Sequence, residues 1–424
     1  MPKTKEKKAL MPELRFPEFE GEWSETSLKS ISTRIRKKVG EKKLTPVSIT
    51  AGVGFVDQTK KFGRRIAGAQ YKNYIHVRRG DFVYNKGNSK TFAQGCIYQL
   101  KEFDEAAAST AFICFKLDED CIDHYFRNLF ECNTHGKQLR KFITSGARSD
   151  GLLNINPDDF FSIQLPIPPT KPEQQKIADC LDSLDELIAA RIAKLAALQD
   201  HKKGLLQQLF PAPGQTIPKL RFPGFEGEWE ETTWAELVTF KSGGTPAKSN
   251  QSFWNGDIPW VTAKDMKEIC LSDTQEHISE EAVKNGAKIA RESSVLILVR
   301  GMTLFKDLPI VFLQRDMSFN QDVKALWTRG NADQSFLPFL LLGNKAEILE
   351  AVDAAGHGTG RLNMDDFKSM PVCCPTHPEQ QKIADCLSSL DALITAEADL
   401  IAALKQHKRG LMQKLFPNPE RSKA

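Results

Sequence analysis

Two stretches of this chain repeat apolar residues at the 4-3 spacing of a helical seam, and they lie 206 residues apart. The first runs Ile177, Leu181, Leu184, Ile188, Arg191, Leu195, Leu198, Lys202, Leu205, Leu209. The second runs Ile383, Leu387, Leu390, Ile394, Glu397, Ile401, Leu404, Lys408, Leu411, Leu415. Eight of ten positions in each are apolar, a narrow stripe over more than four heptads that predicts a helix in need of a helical partner. Roughly 33 residues rising 1.5 Å each give a rod of about 50 Å. Both stretches open on a Thr-x-x-Glu pattern, Thr170 to Glu173 and Thr376 to Glu379, and stop at Pro211 and Pro417. That opening predicts a capping box, in which hydroxyl and carboxylate satisfy orphan backbone N–H groups. The natural partner for each rod is its own copy, antiparallel about a pseudo-twofold axis. Arg191 and Glu397 hold equivalent seam positions near the middle, which predicts an ion pair between them that fixes register.

The same offset recurs elsewhere. Pro172-Glu-Gln-Gln-Lys-Ile-Ala-Asp-Cys180 returns letter for letter as Pro378 to Cys386. Pro12-Glu-Leu-Arg-Phe-Pro17 returns as Pro218-Lys-Leu-Arg-Phe-Pro223, and the Gly-Glu-Trp ending at Trp23 returns ending at Trp229. Between these marks the two copies are nearly unrelated. Four blocks follow: a variable segment over 12–170, a spacer helix over 171–211, a second variable segment over 218–375 and a second spacer helix over 376–417. Within the variable segments, Ile75–Tyr84, Ala111–Phe115 and Ser294–Arg300 read as strands, and Phe126–Leu139 and Phe336–Val352 as helices. The expected fold is α+β: two mixed α/β domains separated by two long helices that form an antiparallel coiled coil, with an internal pseudo-twofold repeat.

Composition narrows the function. Hydrophobic residues make up 41% and charged residues 26%, as in ordinary globular proteins, and no apolar run reaches the eighteen residues of a membrane span. Nine cysteines without a paired C-x-x-C argue against a disulfide framework or a zinc site and point to a reducing cytoplasm. Residues 26–170 carry 23 Lys+Arg against 14 Asp+Glu, a net of +9, whereas 232–376 carry 15 against 18, a net of −3. By bulk charge the first segment suits a polyanion, and the second needs a local patch to do so. Catalytic signatures are missing: there is no phosphate-binding G-x-x-x-x-G-K-[ST] loop, no Asn/Asp-Pro-Pro-aromatic motif and no His/Cys set with metal spacing. His357, in Gly356-His-Gly-Thr-Gly360, is the most enzyme-like histidine, yet it has no visible partner and reads as a loop residue.

The polar loops suit nucleic acid better, because Lys and Arg reach phosphates or guanine edges while Asn and Gln can bond adenine. Candidates in the first segment are Lys86, Asn88, Ser89, Lys90 and Thr91, with Arg148 and Asn154 further on. In the second they are Lys264, Arg300, Asn320, Gln321, Arg361 and Asn363.

These residues carry a resemblance. Gly256-Asp-Ile-Pro-Trp-Val-Thr-Ala-Lys-Asp265, Ser318-Phe-Asn-Gln-Asp-Val323, Gly358-Thr-Gly-Arg-Leu-Asn363, the doubled Pro-Glu-Gln-Gln-Lys-Ile and the doubled Arg-Phe-Pro…Gly-Glu-Trp resemble the specificity subunits of type I restriction–modification systems. The first segment departs from the Ile-Pro-Trp pattern and carries Arg79-Gly-Asp-Phe-Val-Tyr-Asn85 instead, so the two segments share an outline only. The resemblance implies two target recognition domains that read the halves of a bipartite site in double-stranded DNA, with the helices as spacer. It implies a non-catalytic chain that docks two modification (methyltransferase) subunits and, in a larger complex, restriction subunits. S-adenosylmethionine, ATP and magnesium would then serve those partners, and this chain would bind no cofactor. The rival reading is a protein-binding adaptor built on the coiled coil.

Overall fold

The structure, a computed structural model, describes residues 10–50, 52–63, 68–87, 92–143, 153–330, 332–355 and 358–417. It divides into two units, one of Met1–Ile192 with Asp399–Ala424 and one of Ala193–Ala398. Each seam stretch is one unbroken helix, Lys171–Leu209 and His377–Leu415, of 39 residues apiece, or about 58 Å long at 1.5 Å per residue. Pro172 and Pro378 stand in the first turn, where a missing N–H breaks no intrahelical bond.

In the first unit, Ile177, Ala178 and Leu181 of the first helix share a core with Met412 and Leu415 of the second and with Phe416 just past its end. One to two turns on, Asp185 meets Lys408 at 2.7 Å. Residue numbers rise on one helix as they fall on the other, so the pairing is antiparallel. In the second unit Leu209 shares a core with Ile383, Ala384 and Leu387, and Lys202 meets Asp391 at 2.5 Å. The two bridges are the same bridge made twice, since Lys202 and Lys408, and Asp185 and Asp391, are equivalent across the repeat. Of the expected seam, Ile177, Leu181, Ile188, Ile383, Leu387, Glu397 and Ile401 are buried. Leu184, Arg191, Leu195, Leu198, Leu390, Ile394 and Leu404 are partly buried. Glu397, 5% exposed, takes Lys194 at 2.8 Å within the second unit; Arg191 belongs to the first.

The capping boxes form only in part. Thr170 Oγ1 accepts the Glu173 N–H at 3.4 Å, and at the other helix the Thr376 carbonyl takes the N–H groups of Glu379 and Gln380. Neither glutamate reaches back to its own cap, because an arginine holds each one. Arg15 donates to both Glu173 carboxylate oxygens at 2.7 and 2.8 Å, and to the carbonyls of Gly21 and Glu20 at 2.6 and 2.9 Å. Trp23 Nε1 adds a bond to Glu173 at 3.2 Å. Arg221 repeats the fork on Glu379 at 2.7 and 2.8 Å and also donates to the Gly227 carbonyl. Gly21 and Gly227 have φ of +88° and +83°, the left-handed turn that presents those carbonyls and that glycine adopts without strain. The doubled Arg-Phe-Pro, Gly-Glu-Trp and Pro-Glu-Gln-Gln motifs are therefore parts of one clamp.

Each variable segment is fastened to its frame by a two-stranded antiparallel sheet, Ser24–Ser27 with Gln164–Ile167 and Glu230–Thr233 with Pro371–Cys374. Inside, the two segments are built alike. The first has a sheet in the order Ser32–Arg34, Ile113–Leu117, Phe82–Asn85, Cys96–Gln99; the second repeats it as Val238–Ser242, Val323–Thr328, Val295–Leu298, Ile310–Leu313 and adds Cys270–Leu271. A second sheet runs Gly54–Asp57, Thr45–Thr50, Glu105–Ala108, Ile75–Arg78, matched by His277–Ile278, Ile258–Val261, Met317–Phe319, Ile289–Ala290. In both, the central pair of this sheet is parallel. The outline shared by the two segments is thus a common strand order.

Several expected elements are broken. Ile75–Tyr84 becomes two strands in different sheets, split at Gly80 with φ +93°. There the Asp81 carboxylate takes the Arg78 N–H at 2.7 Å, and burial pushes its pKa up. Phe126–Leu139 is split into Asp123–Glu131 and Thr134–Leu139 by Asn133, which is left-handed at φ 54°. Phe336–Val352 is split into Leu337–Gly343 and Lys345–Glu350, with Asn344 Nδ2 donating to the Leu340 carbonyl at 2.8 Å. Ser294–Arg300 divides between Val295–Leu298 and the short strand Arg300–Gly301, and Ala111–Phe115 shifts to Ile113–Leu117.

Three tests of stability follow. Arg15→Met strands a carboxylate that is 1% exposed, and unfolding titration should show a loss of ~3 kcal/mol or more, partly recovered by adding Glu173→Gln. Reversing Lys202 to Glu alone should cost about as much, and the swap with Asp391→Lys should restore most of it; an additive double variant would disprove the bridge. His135 is wholly buried edge-on to Tyr84 and Phe130, and burial lowers its pKa to about 4 from 6.5. The folded state favours the neutral ring, so this contribution is complete above about pH 6.5 and lost as pH falls through about 4, a total of ~3 kcal/mol. Thermal melts across that window should fall less steeply for His135→Met.

Candidate nucleic-acid interface

In the second variable segment, backbone hydrogen bonds knit the motif loops into one surface. The Asn320 N–H donates to the Val261 carbonyl at 3.1 Å, which sets the Asn320-Gln321 turn beside the turn that carries Lys264. The Val299 N–H donates to the Asp322 carbonyl at 2.8 Å, and the Leu362 N–H to the Val299 carbonyl at 2.9 Å. Four loops far apart in sequence thus meet at the ends of the strands that precede them. Among the candidates, Lys264, Arg300, Gln321 and Arg361 are exposed, and Asn320 and Asn363 partly so.

Two of the six are committed to local structure. Asn363 caps the helix Met364–Ser369, its Oδ1 accepting from the N–H groups of Asp365 and Asp366. Asn320 Oδ1 accepts the Asp322 N–H at 3.1 Å and shapes its turn. Gln321 Oε1 takes the Thr245 hydroxyl at 2.5 Å, which fixes the orientation of an exposed amide. Lys264 stands on a turn closed by Asp265, whose carboxylate accepts the Thr262 N–H and hydroxyl at 2.9 Å each.

The arginines are different. Arg300 and Arg361 sit directly opposite one another where strand Arg300–Gly301 pairs with Thr359–Leu362. Like charges facing across a sheet destabilise it; Asp353 stands opposite Arg361 on its other side, yet among the described residues neither guanidinium forms an ion pair. Such a pair is poised for an anion.

The first segment repeats the arrangement. The Leu153 N–H donates to the Lys86 carbonyl at 2.9 Å, as Leu362 does to Val299, and brings exposed Asn154 beside partly buried Lys86. Asn156, rather than Asn154, caps the following helix Pro157–Phe161. Asn88, Ser89, Lys90, Thr91, Arg148 and His357 lie outside the described residues.

Sequence reasoning passed over other residues that matter. Lys408 is opposed by burial, but Glu131 at 3.1 Å and Asp185 outweigh that and raise its pKa, so the first variable segment is tied to the helix pair by charge. Arg127 and His124 both reach Asp182 on the first helix. The equivalence of Asp185 and Asp391 was the available signal. In the second segment Lys248 lies 3.5 Å from the Trp254 ring centre and 4.9 Å from that of Trp260, with Glu276 at 2.7 Å. This cation–π cluster stiffens the strand that leads to Lys264, and two tryptophans six residues apart foreshadow it.

Among the described residues, no helix is long and apolar enough to cross a membrane. The family model for the type I restriction modification DNA specificity domain matches residues 28–198 and again 226–406. The specificity subunit of the type I restriction enzyme EcoR124I/EcoR124II of Escherichia coli is 29% identical over 272 residues, 61% of this chain and 64% of that protein; the match thus spans somewhat under two thirds of the relative. The MjaVIII specificity subunit of Methanocaldococcus jannaschii is 22% identical over 68% of this chain and 69% of its own length. In fold, the chain is similar to the crystal structure of a type I restriction–modification S subunit from M. genitalium, with a TM-score of 0.60 at 16% identity over 96% of this chain and 100% of that one. A chain from a study of assembly and conformational transition in the type I R-M system gives 0.55 at 17% identity, covering 94% and 98%. With the family model matched twice, once in each copy of the repeat, the chain belongs to the type I restriction–modification DNA specificity family as a specificity subunit.

Proposed function

We propose that this chain supplies DNA sequence recognition to a type I restriction–modification complex and performs no chemistry itself. The observation that supports this most directly is the doubled reader: two domains with one strand order, each gathering polar loops at the same strand ends, on a frame repeated by the clamp. Each reader takes half of a bipartite duplex site, and the helices set the gap between halves. Backbone phosphates supply salt-dependent affinity and a few base edges supply specificity. Two modification subunits dock on the repeated frame. Leu187 and Leu393, equivalent across the repeat and 40% and 54% exposed, give one apolar contact to each. Restriction subunits join that assembly. S-adenosylmethionine, ATP and magnesium act in those partners, and adenine methylation and cleavage belong to them.

The test is a gel shift with the purified chain and its complex on duplexes carrying the bipartite site, which is located by comparing methylated adenines in host DNA with and without this chain. Sequence-selective retention supports the proposal, and retention of partner proteins without DNA supports a protein-binding adaptor instead. The charge difference between readers, +9 against −3, adds a quantitative outcome. Binding should weaken with salt by a log–log slope of about 0.9 per phosphate contacted. Reversing Lys86 and Lys90 to Glu should flatten that slope more than replacing Arg300 and Arg361 with Ala; the opposite order would defeat the assignment of the electrostatic grip to the first reader.

A further inference from the structure

Beside Arg300 and Arg361 the second reader holds two large apolar side chains out in solvent. The turn Met302–Phe305 follows Gly301 directly, and in it Met302 is 73% exposed and Phe305 51% exposed, whereas Leu304 between them is 1% exposed. The turn is anchored. Leu304 belongs to the main core of the unit, and Thr303 accepts the N–H groups of Lys306 and Asp307 at 2.9 and 2.8 Å. Gly360, on the strand beneath, lies so near that an added Cβ would come within 3.0 Å of the Leu304 Cβ. A side chain there would crowd Leu304, Val352 and the Gly301 carbonyl, so the glycine of the Gly-Thr-Gly-Arg motif lets the turn pack closely on its strand. Asp307 is tied to Lys345 as well. This is a stiff loop that spends its fixed geometry on displaying two apolar groups, where burying them would be the default for a core-seeking residue.

The flanking chemistry says what the display is for. The turn of Met302 and Phe305 begins two residues after Arg300, which stands opposite Arg361 across the strand pair. Asp353 flanks Arg361 on its other side, and neither guanidinium forms an ion pair among the described residues. Cationic groups flanking an apolar tip match the major groove at a T·A pair next to a G·C pair, where the thymine C5-methyl lies near guanine acceptors and the flanking phosphates. Other anionic partners would also pair the guanidiniums, but the adjoining turns add the exposed Gln321 amide and Lys264 ammonium, which fit base edges and phosphates. Duplex DNA satisfies both at once.

We propose that Met302 and Phe305 are specificity-determining residues of the second reader, and that they recognise thymine C5-methyl groups in its half-site while Arg300 and Arg361 hold phosphate or guanine beside them. The inference rests on the DNA-reading function proposed above and names one feature of the sequence read: at least one thymine whose methyl is buried on binding.

The test uses the full chain. Duplexes that it enriches from a randomised pool are resynthesised with deoxyuridine in place of thymine, one position at a time, and binding is measured by fluorescence anisotropy for the wild type, Met302→Ala, Phe305→Ala and Arg361→Ala. Removing one buried methyl should weaken wild-type binding about fourfold at one or more positions of one half-site. Met302→Ala or Phe305→Ala should erase that thymine–uracil difference while keeping the salt dependence, and Arg361→Ala should lower affinity and keep the difference. Because both apolar side chains point into solvent, the variants should melt as the wild type does. Equal thymine–uracil ratios in the wild type and both apolar variants, on DNA that the wild type does select, would overturn this inference alone. A wild-type chain that enriches no sequence would overturn the DNA-reading function and this inference with it.

Discussion

The fork of an arginine on a nearly buried glutamate at the head of each long helix is the contact on which the rest depends. A charge placed where Glu173 and Glu379 lie, each 1% exposed along the side chain, is tolerable only when paired and fully hydrogen-bonded. Arg15 and Arg221 provide both conditions with a planar, bidentate grip that lysine could not copy. The same guanidiniums hold the carbonyls of the left-handed glycine turns, so one side chain fixes three things: the helix start, the entry of the chain into the reader, and the angle between them. The reader is then closed by a two-strand sheet that joins its first residues to its last. Everything between those points can change without moving the frame.

The helix pair obeys a second electrostatic constraint. An apolar 4-3 seam alone permits slippage by a heptad, and the lysine in each seam removes that freedom because it must find a carboxylate on the facing helix. Lys408 finds Asp185 and Lys202 finds Asp391. A one-heptad slip would leave four charges partly buried and unpaired, several kcal/mol worse than the observed register. Both copies lean on the rod through the same apolar end: Leu415 and Phe416 enter the core of the first unit, with Phe416 edge-on to Tyr125 at 5.4 Å, and Leu209 and Phe210 enter that of the second, with Phe210 stacked on Phe336 at 5.7 Å. The first unit adds an ionic contact, in which Glu131 also reaches Lys408 and Arg127 reaches Asp182.

What could be read in the sequence was whatever the repeat marked or the heptad enforced: the helices and their seam. The error at the helix heads is instructive. Thr-x-x-Glu is a local pattern and predicts a local bond, but the glutamate is claimed by an arginine 158 residues away, whose presence the doubled Arg-Phe-Pro had already recorded without naming its partner. The broken helices and strands failed for a related reason. Gly80, Asn133 and Asn344 are single residues that redirect the chain, and their effect is weak beside the apolar periodicity on either side of them. The shared strand order was invisible because its pairings are made by backbone groups, which no comparison of side-chain letters detects. At the candidate interface, pattern picked out loops that main-chain bonds bring together, but could not tell a projecting side chain from a brace. Asn363 and Asn320 have the amides of base-reading residues and use them to cap and to turn, while Arg300 and Arg361 gain their significance only from lying opposite each other.

That separation of brace from reader explains how two domains can share one architecture at opposite net charge. The bonds that assemble the loop surface run from Asn320 to Val261, from Val299 to Asp322 and from Leu362 to Val299, and all are main-chain bonds. They impose conditions on backbone path, met by caps and glycines at a few positions, and none on the side chains that project from the tips. The first reader places Lys86 where the second places Val299, with the same N–H arriving from a leucine. Net charge is therefore a property of the tips and their surroundings, which the fold leaves unspecified. A scaffold fixed by clamp, seam and main-chain bonds can carry a basic reader on one copy and an acidic one with a local arginine pair on the other, because nothing that holds it together passes through the residues that would touch a target.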